Sequence, residues 1–410
     1  HLTGGQVVAG SNPAVPTKVH MERKYQIILY GATGFTGRLC AQYFKNNYPN
    51  LKWAIAGRDL KKLENLKSEL GLECETFIAS AEDKEAINNF VSSTKVVLST
   101  AGPFARYSDE VVRSCVNNKT HYTDITGENH WVKDLIDEHH IKAAEDGTRI
   151  IPSCGYDSIP SDMGAYYAVN QMGKAVKKIT VYHSGQGGVS GGTTETMFTI
   201  GPLPKEKRDP FLLNPPDSVT EHQRKNSNDG FEIKKIDHTD TYSGIGLMSF
   251  ANTRVVRRSS ALYEADQKSY GSNFIFRELG SYSTKRSARL ASFGLILAFL
   301  IISTPLRHIV RRFLPKPGEG PDEATRENGW FKGLFKAEAE DGEIKYFQIY
   351  GRGDPGYKAT AQMVCESSLA LALSEDLVSG GVLTSAYGLG DSLLNRLKQS
   401  GIEFSEISYN

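Results

Sequence analysis

The chain has few cysteines, almost no net charge and no apolar leader at its start. Its five cysteines are scattered over 410 residues, with no Cys-x-x-Cys pair and no Cys/His cluster of zinc spacing. That pattern argues against a disulfide framework and against a zinc site. The formal net charge of +1 offers no excess of positive charge to a nucleic acid. We therefore expect reduced, buried thiols in a cytoplasmic setting, no bound metal and no nucleic-acid partner.

The segment 1–20 also lacks the marks of a folded element. It is rich in Gly, Val and Pro, has neither a helical nor a strand period, and has no apolar core of the kind a signal peptide needs. Met21 is followed at once by a charged turn and an apolar run. We expect 1–20 to be a non-native or disordered leader and Met21 to be the true start.

Beyond residue 24, short apolar runs alternate with helical stretches. The predicted strands are Tyr25–Tyr30, 52–56, Glu75–Ile78, 96–99, 122–125 and 149–152, and the helices between them include 34–46 and 59–70. Asp59 is a plausible N-cap of the second helix, and Gly71 a plausible residue just past its end. Alternation of this kind predicts a parallel sheet that is covered by helices on both faces.

The pattern changes after residue 153. A strand is predicted at 177–183, a polar surface excursion at 205–235, a helix at 360–374, and a final helix and strand at 391–400 and 402–407. A chain of 410 residues exceeds what one compact core usually supports, so we expect two domains. The first would span 21–153.

A glycine-rich turn, GATGFTG at 31–37, follows the first strand and opens the first helix. Glycine lets the backbone turn tightly and lets a pyrophosphate approach the main-chain N–H groups at the positive end of the helix dipole. This context predicts a dinucleotide site in a Rossmann-type, doubly wound α/β domain, although a tight structural turn is the alternative. The residues expected to hold the cofactor are Gly31, Thr33, Gly34, Phe35, Thr36 and Gly37.

The end of the second strand decides between NAD and NADP. An NAD site places an acid there, whereas this strand ends in Ala56, Gly57 and Arg58. A guanidinium can pair with a 2′-phosphate and stack on adenine, so Arg58 predicts NADP(H). The alternative is that Arg58 is an ordinary solvated loop cation.

The loop after the fourth strand is a further part of the predicted cofactor site. Ligands of open α/β sheets bind beyond the carboxyl ends of the strands, and small residues there let a cofactor lie against the backbone. We therefore expect Ser99, Ala101, Gly102 and Pro103 to border the cofactor. An ordinary loop with a Gly-Pro breaker is the alternative.

Five motifs occur here in one order and resemble the saccharopine dehydrogenase-like oxidoreductases. They are GATGFTG at 31–37, AGR at 56–58, AGPF at 101–104, DITGE at 124–128 and CGYDSIPSD at 154–162. The terminal GIEF at 401–404 is also similar to the end of animal members. The likeness runs from about Met21 to the C-terminus and is looser between 205 and 351.

The resemblance implies an α+β substrate and dimerisation domain behind the Rossmann domain. We place it at 154–385, with 386–410 as a C-terminal helix and strand that pack back on the core. The family's relatives include trans-acting enoyl reductases that act on lipid-like chains. A saccharopine site would need converging cations; Arg254, Arg257 and Arg258 are candidates, but such a cluster is more often a solvated strand edge.

The proton donor is sought where strands end near the cleft. Tyr122 and Glu128 flank the fifth strand, and Tyr156 and Asp157 lie in the loop 154–162. A tyrosine or a carboxyl with a tuned pKa can act as the acid. The structural alternatives are that Asp157 caps a helix beginning near Ser161 and that an acid beside Glu128, Asp124, binds backbone N–H groups. A second glycine turn at 191–194 is expected to face the active site or to form a hairpin.

The most apolar stretch, 290–302, begins at Leu290 and ends at Ile302. At about 1.5 Å per residue it is too short to cross a bilayer core of about 30 Å, and cations flank it on both sides. The pattern predicts a peripheral contact of 290–306 with the cytosolic face of membranes or lipid droplets. A buried helix or a homodimer interface is the alternative.

We thus expect an NADP(H)-dependent oxidoreductase that acts on a lipophilic carbonyl or enoyl substrate at such a surface, and that is otherwise cytoplasmic. Two alternatives stay open at this point. One is an amino-acid dehydrogenase of the saccharopine type. The other is a nucleotide-binding protein without turnover that interacts with lipid surfaces.

Overall fold

The structure, a computed structural model, describes residues 23–188, 198, 204–227, 229–311, 320–374 and 379–409. The expected leader 1–20, the start at Met21 and the glycine turn 191–194 lie outside the described residues.

Within those ranges the chain forms thirteen strands. They are β1 (Tyr25–Tyr30), β2 (Trp53–Gly57), β3 (Glu75–Ile78), β4 (Thr94–Ser99), β5 (His121–Asp124), β6 (Arg149–Ile151), β7 (Val176–Gln186), β8 (Tyr242–Gly244), β9 (Ile275–Tyr282), β10 (Trp330–Ala339), β11 (Ile344–Arg352), β12 (Gly381–Val382) and β13 (Glu403–Ile407).

The helices of the described residues run between and after these strands. They are α1 (Phe35–Asn47), α2 (Leu60–Leu70), α3 (Lys84–Ser92), α4 (Phe104–Tyr107), α5 (Asp109–Asn118), α6 (Asn129–Asp146), α7 (Ile159–Met172), α8 (Glu221–Asn226), α9 (Ser249–Ala265), α10 (Lys285–Ile302), α11 (Arg307–Val310), α12 (Glu323–Asn328), α13 (Thr360–Leu373) and α14 (Ser385–Gln399). Short 3₁₀ and π turns lie at Lys205–Arg208 and Pro355–Ala359.

The first sheet is parallel throughout and has the order β12-β6-β5-β4-β1-β2-β3. Its strands read as apolar runs because both faces are covered. Ile27 and Leu29 of β1 pack on the side of α1 and α2, while Ile28 and Tyr30 pack on the opposite side with α3 and α5. The predicted doubly wound α/β fold is confirmed.

The helix termini follow the predicted local signals. Asp59 caps α2 by accepting from the backbone N–H of Lys62 at 3.1 Å, and Gly71 ends the helix in the left-handed region with φ +58°. The strand β12, which the sequence assigned to the second domain, pairs instead with β6 of the first sheet. The divisions at 153 and 385 therefore stay predictions, and the first sheet takes a strand from between them.

The second sheet is mixed and has the order β13-β11-β10-β7-β9-β8. Only β7 and β9 of its described strands pair in parallel, and the other pairs are antiparallel. One apolar core runs from α1 and α13 through α7 into this sheet at Phe331, Phe335 and Phe347. The expected α+β character of the second part is confirmed.

The prediction of a solvated strand edge at Arg254, Arg257 and Arg258 is wrong. All three lie on helix α9 and are 5%, 3% and 2% exposed. Their guanidinium groups donate to backbone oxygens of Arg208, Pro210 and Leu213 respectively. The segment expected to be a polar surface excursion is thus fastened to α9, because buried cations need acceptors and loop carbonyls supply them.

Candidate active site

A cleft of about 1700 Å³ opens between the two sheets. Its first half is lined by residues at the carboxyl ends of β1, β2 and β4, and its second half by residues of β7, β9, α9 and α10. Strand order reverses between β1 and β4, so the cleft lies at the topological switch point where open α/β sheets bind ligands.

The glycine turn has the close approaches that the motif predicts. Gly31 has φ +82°, and a Cβ added there would lie 2.8 Å from the backbone nitrogen of Ala101. A Cβ on Gly37 would lie 2.3 Å from the carbonyl oxygen of Gly31, because the first turn of α1 packs directly on the strand end. Larger residues at either place would push α1 away from the sheet.

The N-terminus of α1 is prepared for an anion. Its N-cap residue, Gly34, has no side chain to satisfy the first N–H groups, and the first turn contains no acid. The free backbone N–H groups and the helix dipole therefore face the cleft without a competing carboxylate. This arrangement fits a pyrophosphate.

Arg58 lies exposed at the end of β2 and lines the cleft. It forms no ion pair with any described residue, while the neighbouring Asp59 is occupied as the cap of α2. The acid that lines this part of the cleft is Glu82, which follows β3 rather than β2. The cation at the tip of β2 fits the 2′-phosphate that distinguishes NADP from NAD.

The cleft brings together most of the predicted cofactor residues. Gly37 and Ser99 pack behind its surface, Ser99 through a hydrogen bond of 3.4 Å from the backbone N–H of Ala101. The predicted residues that line the cleft are Gly31, Thr33, Gly34, Phe35, Thr36, Arg58, Ala101, Gly102 and Pro103.

Two predicted catalytic residues, Tyr122 and Glu128, are buried away from the cleft surface. The Tyr122 hydroxyl donates to Asp124 at 2.9 Å, and burial raises the pKa of Tyr122 well above its usual value. Glu128 accepts from the backbone N–H groups of Phe104 and Ala105 at 2.8 and 3.2 Å. Each therefore has a structural contact, and neither is among the described residues that line the cleft.

Asp124 binds backbone N–H groups, as the structural alternative to a catalytic role predicted. Its carboxylate accepts from the backbone N–H groups of Thr126 and Ser153, each at 2.9 Å. These bonds hold the ends of β5 and β6 together beneath the cleft.

The other two predicted catalytic residues, Tyr156 and Asp157, do line the cleft. The Asp157 carboxyl forms no hydrogen bond with any described residue, and burial raises its pKa to about 6. Helix α7 begins at Ile159 with Ser158 as its N-cap, and no side chain caps it. The capping alternative for Asp157 is therefore not what the structure has.

Sequence reasoning missed a polar cluster on the floor of the second half. Glu278 accepts from the Ser161 hydroxyl at 2.6 Å and from the Asn252 amide at 2.8 Å. His183 Nε2 lies 2.9 Å from the same hydroxyl of Ser161. The available signal was Glu278 itself, the one acid within strand β9. Strand β9 pairs with β7, which carries His183.

The second half also has an extended apolar wall. Ile245, Leu247, Met248 and Phe250 line it before and at the start of α9. Helix α10 supplies the facing wall through Leu295, Ala298, Phe299 and Ile302. The cleft therefore joins a polar, phosphate-sized turn to a chamber with apolar walls and a polar cluster on its floor.

Comparison with known proteins also indicates an NADP(H) site in the first half of the cleft. A family model described as the saccharopine dehydrogenase NADP binding domain matches residues 27–151. A putative trans-acting enoyl reductase of Mycobacterium tuberculosis is 34% identical and aligns over 93% of this chain and 97% of its own. A trans-acting enoyl reductase of Mycobacterium ulcerans is 32% identical over 94% of this chain and 98% of its own.

Two solved structures share the fold. Saccharopine dehydrogenase (L-Glu forming) of Saccharomyces cerevisiae has a TM-score of 0.52 at 12% identity and covers 93% of this chain and 99% of its own. The NAD complex of homospermidine synthase from Legionella pneumophila has a TM-score of 0.52 at 10% identity, over 94% and 92%. The site geometry, the NADP-binding domain match and the full-length relatives agree on one conclusion: this chain belongs to the saccharopine dehydrogenase-like family of NADP(H)-binding oxidoreductases.

Proposed function

We propose that the protein is an NADPH-dependent reductase of a lipophilic enoyl or carbonyl compound. The observation that carries the proposal is the single cleft in which the glycine turn of β1 and the apolar wall of α10 face one space. Its relatives' names give the reaction class, since both mycobacterial proteins are called enoyl reductases.

In the first half of the cleft, the residues of the chain would bind the dinucleotide and orient it. The N–H groups at the start of α1 would hold the pyrophosphate, Arg58 the 2′-phosphate, and Ala101 with Gly102 the face of the dinucleotide. When bound, NADPH supplies the hydride. The chain must then exclude water from the reacting carbon and provide one proton.

The second half favours a lipophilic substrate over saccharopine. A substrate with several carboxylates needs free cations in the chamber. Two cations that line the cleft are paired, Arg254 with Asp229 at 2.5 Å and Lys207 with Asp134 at 3.1 Å. Arg257 and Arg258 donate to backbone carbonyls. The cleft also presents the apolar face of α10, which suits an acyl or alkyl chain.

The outer face of α10 supports a contact with a membrane or lipid-droplet surface. Ala288 and Ser292 pack inward, whereas Leu290 and Phe293 on the opposite side are 63% and 66% exposed. Cations lie in the first turns of the helix at Lys285, Arg286 and Arg289, and beyond its end at Arg307. An exposed apolar face of this kind beside cations is typical of helices that lie in the interface of an anionic membrane.

Such a contact would be peripheral. No helix in the described ranges has both the length and the apolar content needed to cross a bilayer. A second copy of the chain covering α10 is the competing explanation of the same face.

The experiment that tests the reductase activity has two stages. Titration with NADPH and NADH should give clear preference for NADPH. Turnover is then assayed with trans-2-enoyl thioesters, long-chain enals, ketones and saccharopine, and we expect rates that rise with chain length for an enoyl or carbonyl class. NADPH binding without turnover on any of these compounds would overturn the proposal in favour of a nucleotide-binding protein without catalysis.

A further inference from the structure

The carboxyl of Glu278 lies in the polar cluster on the floor of the second half of the cleft. Its side chain is 3% exposed and lines the cleft from strand β9. One carboxyl oxygen accepts from Ser161 and the other from Asn252, so its orientation is fixed from both sides. Each carboxyl oxygen retains a second lone-pair site, which leaves room for a proton.

The groups that face Glu278 come from each neighbouring element. His183 Nε2 on β7 lies 3.8 Å away, and Asp157 lies in the loop before α7. The charge of Asp229, which is paired with Arg254 of α9, also raises the pKa of Glu278. The charge of Glu278 in turn raises the pKa of Tyr156. The pKa of Glu278 is raised to about 7, with burial as the largest cause; Ser161 and Asn252 lower it, and the charges of Asp157 and Asp229 raise it.

The other acidic groups near the cofactor half are committed elsewhere. The carboxylate of Glu128 holds two backbone N–H groups, and the hydroxyl of Tyr122 donates to Asp124. Asp157 lines the cleft, but no described residue fixes its carboxyl. Among the described cleft residues, Glu278 combines a held orientation, a cleft position and a hydrogen-bonded contact through Ser161 with His183.

We propose that Glu278 is the catalytic acid of the reduction, with Ser161 and Asn252 as the residues that position it. This inference rests on the proposed function, because it concerns the proton that must accompany the hydride. Burial keeps Glu278 protonated, and the neighbouring charge of Asp157 adds to this effect.

The step balances in electrons and protons. A hydride from the reduced cofactor adds to the β-carbon of an enoyl substrate, and the electron pair of the C=C bond moves toward the carbonyl oxygen. Glu278 then transfers its proton to the α-carbon, which completes the saturated product and leaves a carboxylate. In the reduction of a ketone, the hydride would add to the carbonyl carbon, the C=O electron pair would move to the oxygen, and Glu278 would protonate that oxygen. The carboxylate of Glu278, which lines the cleft, then regains a proton from water.

The proposal fixes the sign of the pH dependence. Because the protonated form of Glu278 is the active one, reduction should be constant below about pH 7 and fall as pH rises above it. Ser161→Ala removes a hydrogen bond that lowers the pKa of Glu278, so the falling limb should move to higher pH. Asp157→Asn removes a charge that raises it, so the limb should move to lower pH. A merely structural role would not shift the limb in opposite directions.

The substitution Glu278→Gln tests the role directly. We expect turnover of a trans-2-enoyl thioester to fall by about 100-fold or more, the range of a lost general acid, with the affinity for NADPH unchanged. The matched control is Glu366→Gln, which removes a carboxyl that is 1% exposed and bonded to Tyr43 and Arg396 outside the cleft-lining residues. Thermal unfolding of both variants separates loss of fold from loss of function.

A second measurement needs no substrate. Infrared difference spectra of the NADPH complex between pH 6 and pH 8 should show a protonated-carboxyl band that disappears as the pH rises in the wild type and is absent from Glu278→Gln. Burial also raises the pKa of Asp124 and of Asp162 to about 7 and that of Asp157 to about 6, so their bands should be common to both proteins. Absence of the band from the wild type would overturn the inference, as would full activity of Glu278→Gln with an unmoved pH limb. If the wild type shows the band but reduces no enoyl or carbonyl compound, the proposed function fails while the assignment of the titrating acid stands.

Discussion

The two halves of the cleft are built in different ways. The nucleotide half is made largely of backbone from short contiguous segments, with Gly31 and Gly37 only a few residues apart and a single side chain, Arg58, at its rim. The substrate half is made of side chains, and its polar cluster draws Ser161, His183 and Glu278 from α7, β7 and β9. The first half therefore depends on local geometry, and the second on tertiary packing.

Among the changes that separate the two halves, we expect the largest loss of NADPH affinity when the backbone of the glycine turn is disturbed. Gly31→Val forces a β-branched residue into φ +82° and places its Cβ 2.8 Å from the Ala101 nitrogen. Strain of this kind costs about 1–3 kcal/mol, so the dissociation constant for NADPH should rise by about 10- to 100-fold. Fluorescence titration with NADPH measures this dissociation constant.

Gly294→Ala is the control for that substitution, since no atom lies within 4 Å of a Cβ added there. Its affinity for NADPH should equal that of the wild type. Equal affinity in Gly31→Val would contradict the backbone account of the nucleotide half.

The next effect concerns the one side chain of that half. Arg58→Gln should weaken NADPH binding by about 10-fold or more, the value of a lost charge-assisted hydrogen bond, and leave NADH binding unchanged. The control is Arg38→Gln, which alters an exposed arginine of α1 paired with Glu69. Parallel titrations with the two cofactors measure the preference, and equal losses for both would remove Arg58 from the 2′-phosphate site.

A smaller effect tests the outer face of the substrate half. Phe293→Glu with Leu297→Glu places charge on the exposed side of α10, so sedimentation with anionic phospholipid vesicles should drop several-fold while NADPH affinity is kept. Ile141→Glu changes a residue of α6 that is 73% exposed and should not alter vesicle binding. Unchanged sedimentation of the double variant, or a wild-type dimer that the double variant abolishes, would favour a second copy of the chain as the cover.

The smallest effect sharpens the description of the apolar chamber. Ala298→Trp fills space on the inner side of α10. We expect the preference among enoyl thioesters to shift by about 10-fold toward shorter chains, because one or a few methylenes are worth about 1–3 kcal/mol in an apolar pocket. Ratios of kcat/KM across a chain-length series measure it, and an unaltered series would place the substrate chain elsewhere.

The same comparison explains how far the sequence could lead. The turn 31–37 and the tip of β2 are read from neighbouring residues, so their place at the cleft and the cap at Asp59 were predictable. Glu278 and His183 are far apart in sequence, and only the pairing of β7 with β9 brings them to one surface. The one acid within β9 is a local signal for Glu278, but it does not reveal that His183 lies beside it.

The errors have the same origin. Arg254, Arg257 and Arg258 look solvated because three cations in five residues normally are. Their acceptors include carbonyls more than forty residues earlier in the chain and, at Phe276 and Val382, carbonyls later in the chain. The short strand β12 pairs with β6 of the first sheet, although strands β7 to β11 before it belong to the second sheet. The alternation of apolar runs and helices does not predict this return to the first sheet. Tertiary pairing decides these positions.

The most direct test of the whole account follows the hydride. The protein is supplied with NADPH carrying deuterium at C4 and with a long-chain trans-2-enoyl thioester or enone, and the product is analysed by mass spectrometry and NMR. Our account predicts deuterium at the β-carbon of the saturated product from one face of the cofactor. Tight binding of NADPH with no deuterium in any enoyl or carbonyl compound would contradict it.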